Sequence, residues 1–201
     1  MQGKTHVVVG VAASVLLLRP VDAASFAATA AAGAVGGLLP DVDLLKSNGS
    51  KEISTCAAVV FVAAAALALV DRVAPYGLLE FLAPSTGSLC LPGAVWLFVL
   101  IAFGVSRPHR EFTHSLAFCA LAAAGIFVSC PSGAAPATIG ILSHLVLDVL
   151  NGRGMALFWP VKKRACLGFC SSGGAVDAGL RLAASVAIVL YVLAWLGLVR
   201  F

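Results

Sequence analysis

The sequence predicts an all-α, polytopic membrane protein of about seven helices, and two observations carry that expectation. Of the 201 residues, 61% are hydrophobic and only 11% are Asp, Glu, Lys or Arg, against roughly 25% charged in ordinary soluble domains. The apolar residues also fall in runs rich in Ala, Val, Leu and Gly, and several approach the ~20 residues that cross a hydrocarbon core of ~30 Å as a helix.

Taken in order, the first two spans are residues 6–18 and 23–39, separated by the turn RPVD at Arg19 to Asp22. Both are short or rich in small residues, so they read as a helical hairpin that either crosses with little to spare or re-enters. The clearest spans follow at 53–70, 93–105, 116–130, 134–150 and 180–199. The long connection 151–179 carries VKKR and several glycines. No repeat, low-complexity tail or soluble domain interrupts this pattern, so residues 1–201 form a single integral membrane domain. Lys4, the apolar stretch after it and AASFAATA imitate a secretory signal with a small-residue cleavage site. Cleavage there would remove His6, and retention of the segment is the expectation.

The net charge of +4 informs topology more than partners. The basic residues are scattered, with no aromatic-interleaved patch, so no nucleic-acid partner is expected; membrane lipids and a small-molecule or lipid substrate are. Oligomeric state has no signature in the sequence. If the helices alternate, one side holds Lys4, Lys46, Lys51, Arg107, Arg110, Arg153, Lys162, Lys163 and Arg164. The other holds Arg19, Arg72 and Arg200, with Arg181 at the edge of the last span. The positive-inside rule gives the first side to the cytoplasm, with the N-terminus inside and the C-terminus outside.

The potential ligands fall on the same side. His6 precedes the first span, Asp41 and Asp43 follow the second in LLPDVD, His109 and His114 lie in PHREFTHS, and His144 and Asp148 close a span in SHLVLD. All four histidines are included, although the topology was counted from Lys and Arg alone. His144 and Asp148 are one helical turn apart on one face, where an imidazole and a carboxylate can share a cation. Asp41 and Asp43 follow Pro40, which predicts an extended turn, and Thr113 or Ser115 is placed to cap the next helix. Uncompensated carboxylates at a bilayer surface repel one another and lose hydration, and divalent metal relieves both.

Seven candidate ligands exceed the needs of one tetrahedral ion with an open position. Two ions roughly 3.5 to 4 Å apart, bridged by an aspartate, would use them. Imidazole and carboxylate ligation suits Zn or Mn, and Fe as well, without choosing among them. The cysteines offer no rival site: Cys56 and Cys119 lie in spans, and Cys166 and Cys170 are spaced unlike a zinc knuckle. Cys90 and Cys130 both fall on the outer side, where a disulfide is permitted.

These blocks resemble a known family. TH at Thr5 and His6, GLLPDVD at Gly37 to Asp43, HREFTHS at His109 to Ser115, and SHLVLDVLNGRG at Ser143 to Gly154 followed by FWP are similar to the YdjM-type membrane-bound metal-dependent hydrolases. The resemblance covers residues 5–160, the expected metal-site core. It implies a polytopic inner-membrane protein with a metal-dependent hydrolase site on His6, Asp41, Asp43, His109, His114, His144 and Asp148, and it supplies no substrate.

The residues themselves leave roles open. Arg110 reads as a positive-inside anchor or an anion clamp, with Arg153 as a second cation. Glu111 reads as a proton shuttle or as an ordinary first-turn acid, and Asp41 and Asp43 as ligands or as turn and cap residues. Asp43, Arg110 and Glu111 are the candidate catalytic groups, and Arg110 and Arg153 the candidate substrate-binding ones. The leading expectation is a hydrolase with a dinuclear site at the cytoplasmic membrane surface, acting on a phosphoester that is lipid-borne in the most specific form of the reading. A divalent-cation transporter would need polar residues continuing across the bilayer, and the spans are almost pure Ala, Val and Leu. A metal-stapled structural bundle would need a closed coordination shell.

Overall fold

The computed structural model describes residues 1–46 and 87–199. Their regular structure is helical: α1 (Gly3–Leu18), α2 (Ala23–Leu38), a 3-10 helix (Leu39–Lys46), α3 (Gly87–Val105), α4 (Leu116–Ser129), α5 (Pro131–Leu150) and α6 (Ala175–Trp195). Among the described residues there is no strand, only the isolated bridges Asn151 to Cys170 and Met155 to Ala165 in the α5–α6 connection. The expected span 53–70 lies outside the described residues.

Local chemistry sets the helix ends. At the start of α2 the Asp22 carboxylate accepts from the Ser25 N–H at 2.8 Å and the Asp22 N–H donates to Ser25 Oγ at 3.2 Å, a reciprocal cap. The Ser25 N–H holds the Asp22 carboxyl below its usual range. α4 opens on Ser115, whose hydroxyl accepts from the Phe118 N–H at 3.1 Å. α5 starts at Pro131, where a missing N–H costs nothing, three residues before the expected 134.

Two expectations are corrected. Asp41 and Asp43 lie in the 3-10 helix rather than in an extended turn, because Pro40 sits in the first turn, where no N–H is required of it. The last helix runs from Ala175 to Trp195 rather than over 180–199. Its early start brings Asp177 into the first turn, buried, accepting from the Gly173 N–H at 2.7 Å and the Gln2 N–H at 3.3 Å. A carboxylate there also suits the positive end of the helix.

Packing centres on α1, α2 and α5, whose backbones meet at glycines. A Cβ on Gly36 would stand 2.0 Å from the Ala137 carbonyl oxygen, and one on Gly140 2.3 Å from that of Gly33. On Gly10 it would stand 2.6 Å from the same Gly33 oxygen. Small residues let helices approach closely enough for dispersion to hold them, which matters most where solvent offers no hydrophobic drive. α3 packs on α4, α4 on α5, and a buried apolar cluster of Leu100, Phe112, Phe118, Ile141, Leu145 and Met155 lies between them.

Among the described residues, three helices, Ala23–Val42, Pro131–Leu150 and Ala175–Trp195, are long and apolar enough to cross a membrane, and α1, Pro92–Val105 and α4 are shorter apolar helices. At about 1.5 Å per residue α1 is about 24 Å long. Large apolar side chains such as Leu17, Phe98, Val146 and Leu182 face outward. At one end of the bundle the Tyr191 hydroxyl donates to the Pro20 carbonyl at 2.7 Å and Trp195 Nε1 to the Val21 carbonyl at 3.0 Å. The opposite end gathers the starts of α1, α4 and α6 and the ends of α2, α3 and α5.

Gly36→Ala is expected to lower stability by about 3 kcal/mol, since its Cβ meets rigid backbone. Gly179→Ala, with nothing within 4 Å of its Cβ, is expected to be neutral or stabilising by up to ~1 kcal/mol. Thermal unfolding of both variants in one detergent checks the contrast.

Candidate metal centre

The second end of the bundle is built from separate chain segments, each delivering one or two polar side chains. α1 carries His6 in its first turn, the 3-10 helix carries Asp41, and α5 carries His144 and Asp148 in its last two turns. The irregular stretch between α3 and α4 carries His109, Arg110 and His114. Its path is held by neighbours: the Arg110 carbonyl accepts from the Ala156 N–H at 3.0 Å, and Leu116 N–H donates to the Leu157 carbonyl at 3.0 Å. Arg110 adopts φ 66°, an uncommon conformation for a side-chain-bearing residue, which persists where the surroundings enforce it.

His6, His114, His144, Asp148 and Arg110 are buried together, with Asp41 beside them. The His6 and His144 rings stack with centroids 3.7 Å apart, and the His114 ring meets His144 edge-on at 5.1 Å. His144 Nδ1 lies 2.7 Å from the Gly37 carbonyl oxygen. A carbonyl only accepts, so Nδ1 carries the hydrogen and Nε2 of the neutral ring presents a lone pair. That Nε2 faces Asp41 Oδ1 at 3.8 Å, Asp148 Oδ2 at 3.9 Å and His114 Nε2 at 3.3 Å. His114 Nε2 is itself 3.3 Å from Asp41 Oδ1 and 3.6 Å from Asp148 Oδ2. Its Nδ1 is 3.0 Å from the Thr113 hydroxyl.

Asp148 divides its two oxygens between two sets of partners. Oδ1 meets the Met1 amine at 2.8 Å and His6 Nε2 at 3.4 Å. Oδ2 meets Arg110 Nη2 at 3.1 Å as well as the two imidazoles named above. Among the described residues, Arg110 Nε and Nη1 are buried with no hydrogen-bond partner, and so is His6 Nδ1. Buried donors of this kind are rare and point to a further acceptor.

These donors fit divalent metal. His6, His144 and Asp148 form one group and Asp41, His114 and His144 another, each with ligand atoms within 4.8 Å of one another. Donors arranged tetrahedrally about an ion at ~2.1 Å stand roughly 3.4 Å apart, the spacing of the shorter contacts here. The Gly37 carbonyl and the Thr113 hydroxyl contact the outward ring nitrogens of His144 and His114, the position of the outer partners that orient imidazoles in metal sites.

Residues 1–200, the whole length of the chain but its last residue, match the model of the family described as YdjM inner membrane protein. The chain belongs to the YdjM family. No curated protein matches it, and no solved structure does. Membership agrees with the apolar helices in placing this YdjM protein in the inner membrane.

Of the residues the sequence singled out, His6, Asp41, Arg110, His114, His144 and Asp148 come together. His109 is at the rim, its ring 4.9 Å from that of His114, edge-on. Glu111 is half-buried beside Arg110 in the chain, and Arg153 is exposed. The side chain of Asp43 lies outside the described residues, as does that of Cys90, one half of the disulfide considered with Cys130. Sequence reasoning missed the Met1 amine, the Gly37 carbonyl and the part Thr113 plays beside His114. Gly37 carried one usable signal, a glycine pair directly before LLPD.

Asp148→Asn is expected to destabilise the chelator-treated protein by roughly 3 kcal/mol, since it leaves the buried Arg110 and the Met1 amine without their counter-charge. Denaturant unfolding of wild type and variant, both in chelator, measures the difference.

Proposed function

We propose that this YdjM protein is a metal-dependent hydrolase with a dinuclear His and Asp site, acting on a phosphoester. We further read the whole chain as a polytopic inner-membrane protein of about seven helices, one of them over 53–70. The N-terminus and the metal centre then lie on the cytoplasmic side, as the distribution of Lys and Arg favours. The observation that carries the reading is Asp148, whose Oδ1 faces His6 while Oδ2 faces His114 and His144. One carboxylate reaching into two donor groups is the disposition of a bridging ligand.

His6, His144 and Asp148 would hold one ion, and Asp41, His114 and His144 the second. Asp43 and His109, the other candidates the sequence offers, would complete the two shells. Zn or Mn suits such ligands. Ions held there would supply Lewis acidity and would lower the pKa of water to roughly 7.

The protein's own groups do the rest. Arg110 keeps Nη2 on Asp148 and turns Nε and Nη1, its unpartnered donors, to the anionic oxygens of the substrate. Charge-assisted bonds from a planar guanidinium select phosphate geometry and hold it in register with the reacting centre. Glu111, next in the chain and half-buried, is the candidate proton shuttle beside Arg110. The Gly37 carbonyl keeps the His144 ring fixed, so little reorganisation is required during the reaction. Burial of the cluster weakens screening and strengthens each of these interactions.

Elemental analysis of the protein purified without chelators tests the metal claim. About two divalent ions per chain are expected in wild type, one in His6→Ala, one in Asp41→Asn and none in Asp148→Ala. Folded wild-type protein with no bound metal would sink the hydrolase reading. With the ions in place, Arg110→Met is expected to lower kcat/KM on a responsive phosphoester roughly 10²-fold without releasing metal.

A further inference from the structure

Residues 151–174 contain Arg153, Lys162, Lys163 and Arg164 and no Asp or Glu. The segment is folded rather than trailing. Leu167 N–H donates to the Val149 carbonyl at 2.7 Å and Cys170 N–H to that of Leu150 at 3.2 Å, which returns the chain to the end of α5. Met155 and Ala165 exchange backbone bonds of 3.0 and 2.8 Å, closing a tight loop. Its inner side buries Met155 and Ala156, and Trp159 rests edge-on against Phe112 and Phe103 with centroids 5.0 and 6.2 Å away.

The outer side is the unusual one. Phe158 is 61% exposed, Val161 57%, Leu167 57% and Phe169 72%. Between them stand Lys162, Lys163 and Arg164, all exposed. Apolar side chains of this size on a loop lose free energy in water, and four basic residues without an acid ask for a negative partner. Aromatic and aliphatic tips beside Lys and Arg are the chemistry of a bilayer interface, the tips entering the headgroup boundary and the cations pairing with anionic lipid. The loop also lies at the correct end, because it leaves α5 just after Asp148 and its Ala156 N–H binds the Arg110 carbonyl.

We propose that residues 158–169 form a docking surface for anionic lipid headgroups, next to the mouth of the His and Asp cluster. The proposal rests on the membrane reading above and not on the metal. It narrows the substrate to one delivered from the anionic leaflet: Lys162, Lys163 and Arg164 would concentrate such headgroups on the loop whose Ala156 N–H binds the Arg110 carbonyl.

The test is hydrogen exchange of the full-length protein in nanodiscs of phosphatidylcholine, compared with nanodiscs in which roughly a third of the lipid is phosphatidylglycerol. Peptides covering 158–169 are expected to exchange several-fold more slowly in the anionic discs. Raised salt, which screens surface charge over a Debye length of about 3 Å at 1 M, should erase most of the difference. The 18–23 turn at the opposite end serves as the internal reference. K162Q/K163Q/R164Q should abolish the lipid dependence, and Leu167→Ser with Phe169→Ser should weaken it, both with the reference peptide unchanged. Equal exchange in the two kinds of disc, or slowing that survives the triple substitution, overturns the proposal. Because the readout is amide protection, metal content measured on the same samples reports on the hydrolase reading separately.

Discussion

The close approach of α2 to its two neighbours is the constraint on which the rest depends, and Gly37 is where it acts on the His and Asp cluster. A Cβ at Gly37 would stand 2.6 Å from the His6 carbonyl oxygen, so only a residue without a side chain lets α1 and α2 meet at that level. The carbonyl of the same residue lies 2.7 Å from His144 Nδ1. One residue thus sets how closely α2 meets α1, the helix that carries His6, and also the direction in which His144 points from α5. The rings of these two histidines stack with centroids 3.7 Å apart. Gly33 and Gly36 repeat the approach along α2, toward α1 and α5, and keep the axes from splaying.

On that frame the electrostatics are concentrated in Asp148. Its oxygens meet an ammonium, a guanidinium and three imidazoles, the closest at 2.8 Å and the furthest at 3.9 Å. A buried carboxylate with such a crowd of partners is secured by charge, yet burying ions costs several kcal/mol each before their attraction is counted. The arrangement is also incomplete: among the described residues Arg110 Nε and Nη1 and His6 Nδ1 have no hydrogen-bond partner. Buried donors left open in this way point to a further acceptor.

Much of this was legible in the sequence. His144 and Asp148 were readable because helical period four places them together whatever surrounds them, and His6, Asp41 and His114 because charge and apolar runs put them at one depth. α4 was read to within a residue of its end, since a capping serine opens it and a long apolar run fills it. The 3-10 helix was not legible, because Pro40 is compatible both with an extended turn and with the first turn of a tighter helix. The start of α6 was missed because a hydropathy reading stops at Asp177, whereas the fold uses that carboxylate to hold the Gln2 N–H across 175 residues of chain. Partnerships at such a separation leave no local pattern. Arg110 was readable as a cation but not as a residue at φ 66°, because nothing in its type favours that conformation and only tertiary contacts impose it.

The location of the centre at helix ends has its own physical logic. An irregular segment such as the one carrying His109, Arg110 and His114 leaves backbone groups that a helix would have satisfied, and lipid offers them no partner. Here the partners come from the α5–α6 connection: Ala156 N–H bonds the Arg110 carbonyl, and the Leu157 carbonyl accepts from Leu116 N–H. The connection in turn is held by its own returns to Val149 and Leu150 at the end of α5, the helix that presents His144 and Asp148. The ligand-bearing segment and the basic loop therefore support each other's backbone. A change in the loop's position would be transmitted to Arg110 through one bond of 3.0 Å from Ala156, which makes the basic loop part of the same mechanical unit as the His and Asp cluster rather than an appendage to it.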